Sequence, residues 1–288
     1  MFDPRLAQIA VLASLSLLGA CALDLEIRPA VAVSAVVAAL STEAITARLR
    51  HRVFDPRSPL ISGLSLTLLL RVSDAWLGAV AGIIAIASKS LLRVGDKHWF
   101  NPTNFALVVL LLVTDRAWVS SGQWGSTPII AAAMVGGGTW VLRNARGDVT
   151  IAFLATHTAL LIGRALWLGD PLAIPLHQLQ SGSLLIFALF MISDPRTVPD
   201  RRAGRIGFAI AVALLGYWLR FGLHEPNALL YALAATSPLS PLIDRWLPGT
   251  RFAWSRRTRS PETQETPHVL DPSHDQPIGV ALAATRRG

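Results

Sequence analysis

Four ionisable residues stand inside stretches that are otherwise apolar: Glu43, Lys89, His157 and Arg164. A charge in such surroundings is costly, and it faces a cavity or a partner or lies near the end of the stretch. Lys89 is about one turn from an end, where its ammonium can snorkel to water. Glu43 has Arg48 close by, so a local ion pair is open to it. His157 lies deeper, in Ala155-Thr156-His157-Thr158-Ala159. That setting suits a packed, hydrogen-bonded histidine, a ligand or a proton relay. No His or Cys cluster has metal-site spacing, and neither a phosphate loop after a strand nor a nucleophile elbow is present.

Two polar stretches carry prolines beside apolar runs: Lys97-His98-Trp99-Phe100-Asn101-Pro102-Thr103-Asn104-Phe105 and Ile192-Ser193-Asp194-Pro195-Arg196-Thr197. Proline in a first helical turn leaves N-terminal amides free, and such ends attract anions. Asn101, Thr103 and Asn104 can therefore bind a ligand or simply cap a helix.

The elements that position these residues follow from composition. The chain has 288 residues, of which 52% are hydrophobic and 15% charged. Charges cluster between apolar runs, and a bilayer core of about 30 Å takes about 20 apolar residues per helix. The runs lack the alternation of barrel strands. They predict spans at 6–23, 30–46, 58–70, 75–92, 102–114, 128–142, 149–168, 176–193, 206–220 and 227–244. Arg5 and Leu18-Gly19-Ala20-Cys21 resemble a lipoprotein leader, but a polytopic domain follows, which makes the first span an uncleaved helix. Gly136-Gly137-Gly138 in the sixth span suits close helix packing or a kink. The single Cys21 excludes an internal disulfide.

With the N-terminus inside, 18 Lys and Arg fall on cytoplasmic segments and four (Arg28, Arg71, Arg116 and Arg220) on the opposite side. This alternation follows the positive-inside rule. It explains the net charge of +8 without a nucleic-acid partner. The expectation is an all-α polytopic protein of about ten transmembrane helices over residues 1–254, with both termini cytoplasmic. Residues 255–288, rich in Pro, Arg, Thr and Gln, read as a disordered cytoplasmic tail whose basic start can touch lipid headgroups.

Lys89, the run Phe100-Asn101-Pro102-Thr103-Asn104-Phe105-Ala106-Leu107, and the later Ser193-Asp194-Pro195-Arg196-Thr197 with Arg205 resemble the NqrB/RnfD family over about residues 58–250. These are membrane subunits of the sodium-translocating NADH:quinone reductase and of the Rnf electron-transport complex. The resemblance implies ten helices in a bacterial inner membrane, as two inverted five-helix repeats. It also implies flavin-associated electron transfer coupled to ion movement, in the company of other electron-transport subunits. One flavin, FMN, is held in the family through its phosphate on a Thr of a D-G-x-S-G-A-T signature. Ser121-Gly122-Gln123-Trp124-Gly125-Ser126-Thr127 keeps Gly122, Gly125 and Thr127, and replaces the Asp by Ser121, the Ser by Trp124 and the Ala by Ser126. Thr127 is the attachment candidate, against an ordinary Thr-Pro at a helix start. Lys89, Asn101, Pro102, Thr103, Asp194 and Thr197 correspond to family regions around a second flavin, such as riboflavin, or an ion path.

Other readings stay open. The altered signature, and a chain without the family's long N-terminal extension, suit a channel-like solute or ion transporter that has lost its flavin. Solitary relatives also resemble accessory membrane proteins of biosynthetic clusters such as enediyne pathways. The sequence carries no NADH site and no Fe–S cysteine set, so redox activity would need partners.

Overall fold

A computed structural model describes residues 3–21, 25–95, 97–119 and 147–251. Nine of the expected spans fall on described residues, and each meets helix. In chain order these are α1 (Pro4–Cys21), α2 (Pro29–Leu49), α3 (Arg57–Leu69), α4 (Ala75–Leu91), α5 (Pro102–Val113) and α6 (Gly147–Leu168). There follow α7 (Ala173–Leu179), α8 (Gly182–Ile186), α9 (Arg202–Gly222), α10 (Ala228–Thr236) and α11 (Leu239–Trp246). The sixth span, Thr127 and the tail lie outside the described residues.

The helices start where the sequence offers starts. Pro29 and Pro102 open α2 and α5, where a missing amide hydrogen costs nothing. The Asn101 side chain accepts from the Asn104 amide at 3.0 Å and caps α5. Two helices break inside an expected span. The eighth span bends by 50° between α7 and α8. Its last turn, Phe187–Met191, is wound as a π-helix. The tenth span divides at Ser237-Pro238, between α10 and α11. Helices α2, α6 and α9 are long and apolar enough to cross a membrane, and the bent pair would make a fourth. Helices α1, α4 and α5 are apolar but shorter.

Small residues set the packing. Helices α2 and α4 cross where Gly78 and Gly82 face Val31, Ala35 and Ala39. A Cβ on Gly82 would stand 2.3 Å from the Ala35 carbonyl oxygen, so the two backbones touch. Helix α9 packs on α6 and α10, and α1 on α3. Leu66, Leu68, Leu107, Phe153 and Phe208 fill the interior and are essentially inaccessible. Val33, Val37, Ile45, Leu112, Ile151 and Leu166 point outward. This distribution is what a lipid-facing surface requires.

Loops assigned to the same side by charge touch one another. At one end Arg5 donates to Asp55 at 2.8 Å, Arg50 to the Ser90 carbonyl at 2.6 Å, and Arg205 to Asp148 at 2.9 Å. At the other end Arg28 donates to the Ser73 carbonyl at 2.8 Å and Arg71 to that of Leu25 at 2.7 Å. The all-α expectation needs one amendment. The second end carries a short antiparallel ribbon, β1 (Leu70–Val72) with β4 (Ala117–Val119). The first end carries another, β2 (Arg93–Val94) with β3 (Lys97–His98). Both ribbons satisfy backbone groups where helices stop.

Candidate functional site

The first end gathers most of the expected site residues. Lys89 does not reach for solvent. Its ammonium donates to Glu43 Oε2 at 3.1 Å, joining α4 to α2, and the two side chains are only 13% and 5% exposed. Glu43 thus pairs 46 residues away, and not with Arg48. Lys97 bridges two carboxylates, Asp200 at 3.1 Å and Asp244, and also donates to the Val198 carbonyl at 2.9 Å. The guanidinium of Arg205 grips both oxygens of Asp148, at 2.9 and 3.0 Å through Nε. These pairs fasten α6, α9, α11 and the 191–201 stretch together.

Charge near this end is finely placed. His98 is buried, and desolvation together with Lys89, Arg196 and Arg93 pulls its imidazole down to about 3. It is neutral at physiological pH. Burial pushes the Asp194 carboxyl above its ordinary range, against the opposing pull of the Arg196 amide and charge. Asp55 goes the other way. Burial would raise it, but its bonds to Arg57 and the charge of Arg5 hold it at about 2.

The Asn-Pro stretch is tied to its neighbours by side-chain hydrogen bonds. Asn101 Nδ2 donates to the Met191 carbonyl at 3.3 Å, and Asn104 Nδ2 to that of Leu230 at 3.1 Å. Pro102 and Thr103 are buried beside them. In the second stretch the Arg196 amide donates to Asp194 Oδ1 at 3.0 Å, and Thr197 Oγ1 donates to the Asp194 carbonyl at 3.1 Å. Asn101 and Asn104 therefore act as cap and brace. Asn101→Ala is expected to lose the cap, worth about 1 kcal/mol. It also removes the side-chain donor to the Met191 carbonyl, which keeps only the Asp194 amide at 3.4 Å, a further loss of about 0.5–1.5 kcal/mol. A thermal unfolding series in detergent would show the loss.

The two braced carbonyls belong to the walls of a cavity of about 730 Å³. The volume lies within the range of small-molecule and cofactor sites, about 300–1,000 Å³. Its depth is apolar, with Leu161, Leu184, Phe187, Met191 and Leu230. At the mouth stand the exposed His177, Gln180 and Arg220. His157 reaches in from α6, stacked on Phe153 at 5.5 Å. Neither of its ring nitrogens has a hydrogen-bond partner among the described residues, and Nδ1 is fully enclosed. The packed reading of His157 is met and the hydrogen-bonded one is not. Arg164 lies nearby on α6 and covers the Phe221 ring at 4.4 Å. Arg220, His177 and Gln180 carry no signal in the sequence, because the cavity exists only through the bend after α7.

Residues 113–253 match the model of the NQR2, RnfD, RnfE family. Over this stretch the chain is similar to that family. The family stretch is shorter than the 58–250 suggested by motifs. It contains Thr127, Asp194 and Thr197, and stops short of Lys89, Asn101, Pro102 and Thr103. It also supplies every described residue lining the cavity except Leu69.

The chain is similar to the D-type subunit of the ion-translocating oxidoreductase complex of Stutzerimonas stutzeri, 32% identical over 133 residues. That alignment covers 44% of this chain and 36% of the relative. The corresponding subunit of Escherichia coli O139:H28 is 32% identical over 126 residues, covering 42% and 34%. That of Citrobacter koseri is 30% identical over 110 residues, covering 38% and 31%. The chain spans about a third of the length of these curated relatives.

Proposed function

We propose that the chain is a membrane subunit of NqrB/RnfD type, in which flavin-associated electron transfer is coupled to ion movement. One observation carries the reading: the stretch matching the family is the stretch that builds the cavity. The proposal includes ten transmembrane helices as two inverted five-helix repeats, both termini cytoplasmic, in a bacterial inner membrane. Other electron-transport subunits would supply donor and acceptor.

The cavity suits a flavin in size and lining. A bound flavin would supply one- and two-electron transfer. Phe187 and Leu161 would exclude water from its ring. His157, whose nitrogens have no partner among the described residues, would hydrogen-bond a ring heteroatom. Arg220 and His177 at the mouth would face its phosphate. With the second end outside, the charge-based topology assigns Thr127 to the side of that mouth, which suits attachment through phosphate. Lys89, Asn101, Pro102, Thr103, Asp194 and Thr197 then belong to the cytoplasmic end. There Asn101 braces the cavity, and Lys89 and Asp194 offer charged groups to a second flavin or an ion path.

The test is the flavin content of protein purified from a flavin-replete host. In-gel fluorescence after denaturation is expected and should vanish in Thr127→Ala. A His157→Leu variant should keep the covalent signal and shift the absorption spectrum of the native protein. A colourless protein with no flavin of any kind would overturn the redox reading. A transporter that has lost its flavin is the second reading. It is favoured by a cavity mouth bearing Arg220 and His177 with no carboxylate among the described lining residues. Anion uptake by proteoliposomes without an electron donor would support it.

A further inference from the structure

At the second end lies another cavity, of about 520 Å³, lined by Glu26, Arg28, Thr67, Arg71 and Trp118 among others. Its centre is Arg71, which is 6% exposed. The guanidinium donates to three carbonyls: Thr67 at 3.1 Å, Leu70 at 3.0 Å and Leu25 at 2.7 Å. Among the described residues no carboxylate pairs with it, and its Nε–H makes no hydrogen bond. A positive charge so enclosed normally has a counter-ion, and three neutral carbonyls do not neutralise it. Glu26 acts on the Arg71 charge from a distance without forming an ion pair. It lines the same cavity at a left-handed φ of 51°, one residue after the Leu25 carbonyl that Arg71 holds.

Two further residues complete the site. Arg28 is anchored on the Ser73 carbonyl at 2.8 Å, which sets a second cation at the rim. Trp118 is the register partner of Arg71 across the β1–β4 ribbon, so both side chains lie on one ribbon face. Trp118 remains 47% exposed. A half-exposed indole beside arginines is the arrangement of a membrane–water interface. A phosphate placed between Arg71 Nε and Arg28 would be held by charge-assisted bonds. A primary ammonium attached to it would reach toward Glu26.

We propose that this cavity binds the headgroup of a zwitterionic aminophospholipid, phosphate on Arg71 and Arg28, ammonium on Glu26. The assignment rests on the transmembrane reading above but not on the flavin. The shared chemistry is a phosphodiester bearing a primary amine, which a free solute could also offer.

The experiment is lipid exchange on the full chain in nanodiscs, followed by native mass spectrometry of the released protein. Phosphatidylethanolamine should be retained about tenfold over both phosphatidylglycerol and phosphatidylcholine. Glu26→Gln should lower phosphatidylethanolamine to the phosphatidylglycerol level. Arg28→Gln should reduce phosphatidylethanolamine retention about tenfold. Both substitutions are at exposed positions, so folding is preserved even where Arg71→Gln fails to fold. Equal retention of the three lipids, or phosphatidylethanolamine retention unchanged in Glu26→Gln and Arg28→Gln, would overturn the proposal. Displacement of lipid by soluble glycerophosphoethanolamine at equal concentration would assign the site to a free solute and overturn the lipid assignment. Flavin fluorescence, read on the same samples, should not change in either variant.

Discussion

Gly82→Leu should leave no folded protein. The Cβ of any larger residue would sit 2.3 Å from the Ala35 carbonyl oxygen and 3.0 Å from the Ala39 amide nitrogen. Both are backbone atoms in the middle of α2, so no rotamer change relieves the clash. Overpacking that the surroundings can absorb costs about 1–3 kcal/mol. Here the helices must separate along their shared length, and the cost should exceed the upper figure. Gly163→Ala, by contrast, meets nothing within 4 Å on an exposed face of α6. Ala is the better helix former by about 1 kcal/mol, so this variant should be neutral or slightly more stable. Size-exclusion profiles and thermal unfolding of the two variants, side by side, test the α2–α4 contact. A monodisperse Gly82→Leu protein with wild-type unfolding would refute it.

The second large effect should come from Lys89 and Glu43. Glu43 is buried and Lys89 largely covered, and each is the other's counter-ion at 3.1 Å. Removing one leaves the other charged in an apolar setting, at a cost of about 3–5 kcal/mol. Glu43→Leu should be the worse single variant, because the orphaned Lys89 lies within the fields of Arg52 and Arg196. The double variant Lys89→Met, Glu43→Leu should recover most of the loss, since an apolar pair of similar volume often replaces a buried ion pair without penalty. A double-mutant cycle on unfolding temperature reads the coupling. Additive effects of the two single changes would show that the pair does not hold α2 to α4.

Much of this fold could be read from charge and hydropathy. The helix starts at Pro29 and Pro102, the α5 cap at Asn101, and the side-by-side grouping of loops all follow local rules. What could not be read depended on distance along the chain. Glu43 has Arg48 five residues away and Lys89 46 residues away, and only the crossing of α2 on α4 decides between them. The ribbon strands are three residues long or shorter, too brief to carry a periodicity. The break after α7 falls at Gln180-Ser181-Gly182, between the mixed Leu176-His177-Gln178-Leu179 and the apolar run from Leu184 to Met191. The flanking hydropathy hid it. The cavity was illegible for the same reason. Its polar residues come from three separated segments, and the motif residues Asn101 and Asn104 brace its walls from outside.

The wide turn at Phe187–Met191 has a consequence for how this architecture can diverge. A π-turn accommodates one residue more than the α-turn it replaces, so it behaves as an insertion absorbed within a helix. Deleting that residue would rotate everything after it by about 100° relative to α8. The Met191 carbonyl would swing away from Asn101, and Asp194, Pro195 and Thr197 would leave the first end's junction together. Apolar side chains of similar volume can therefore exchange within this buried segment, whereas its length cannot change. Related chains should keep the residue count between Gly182 and Asp194 even where the letters change.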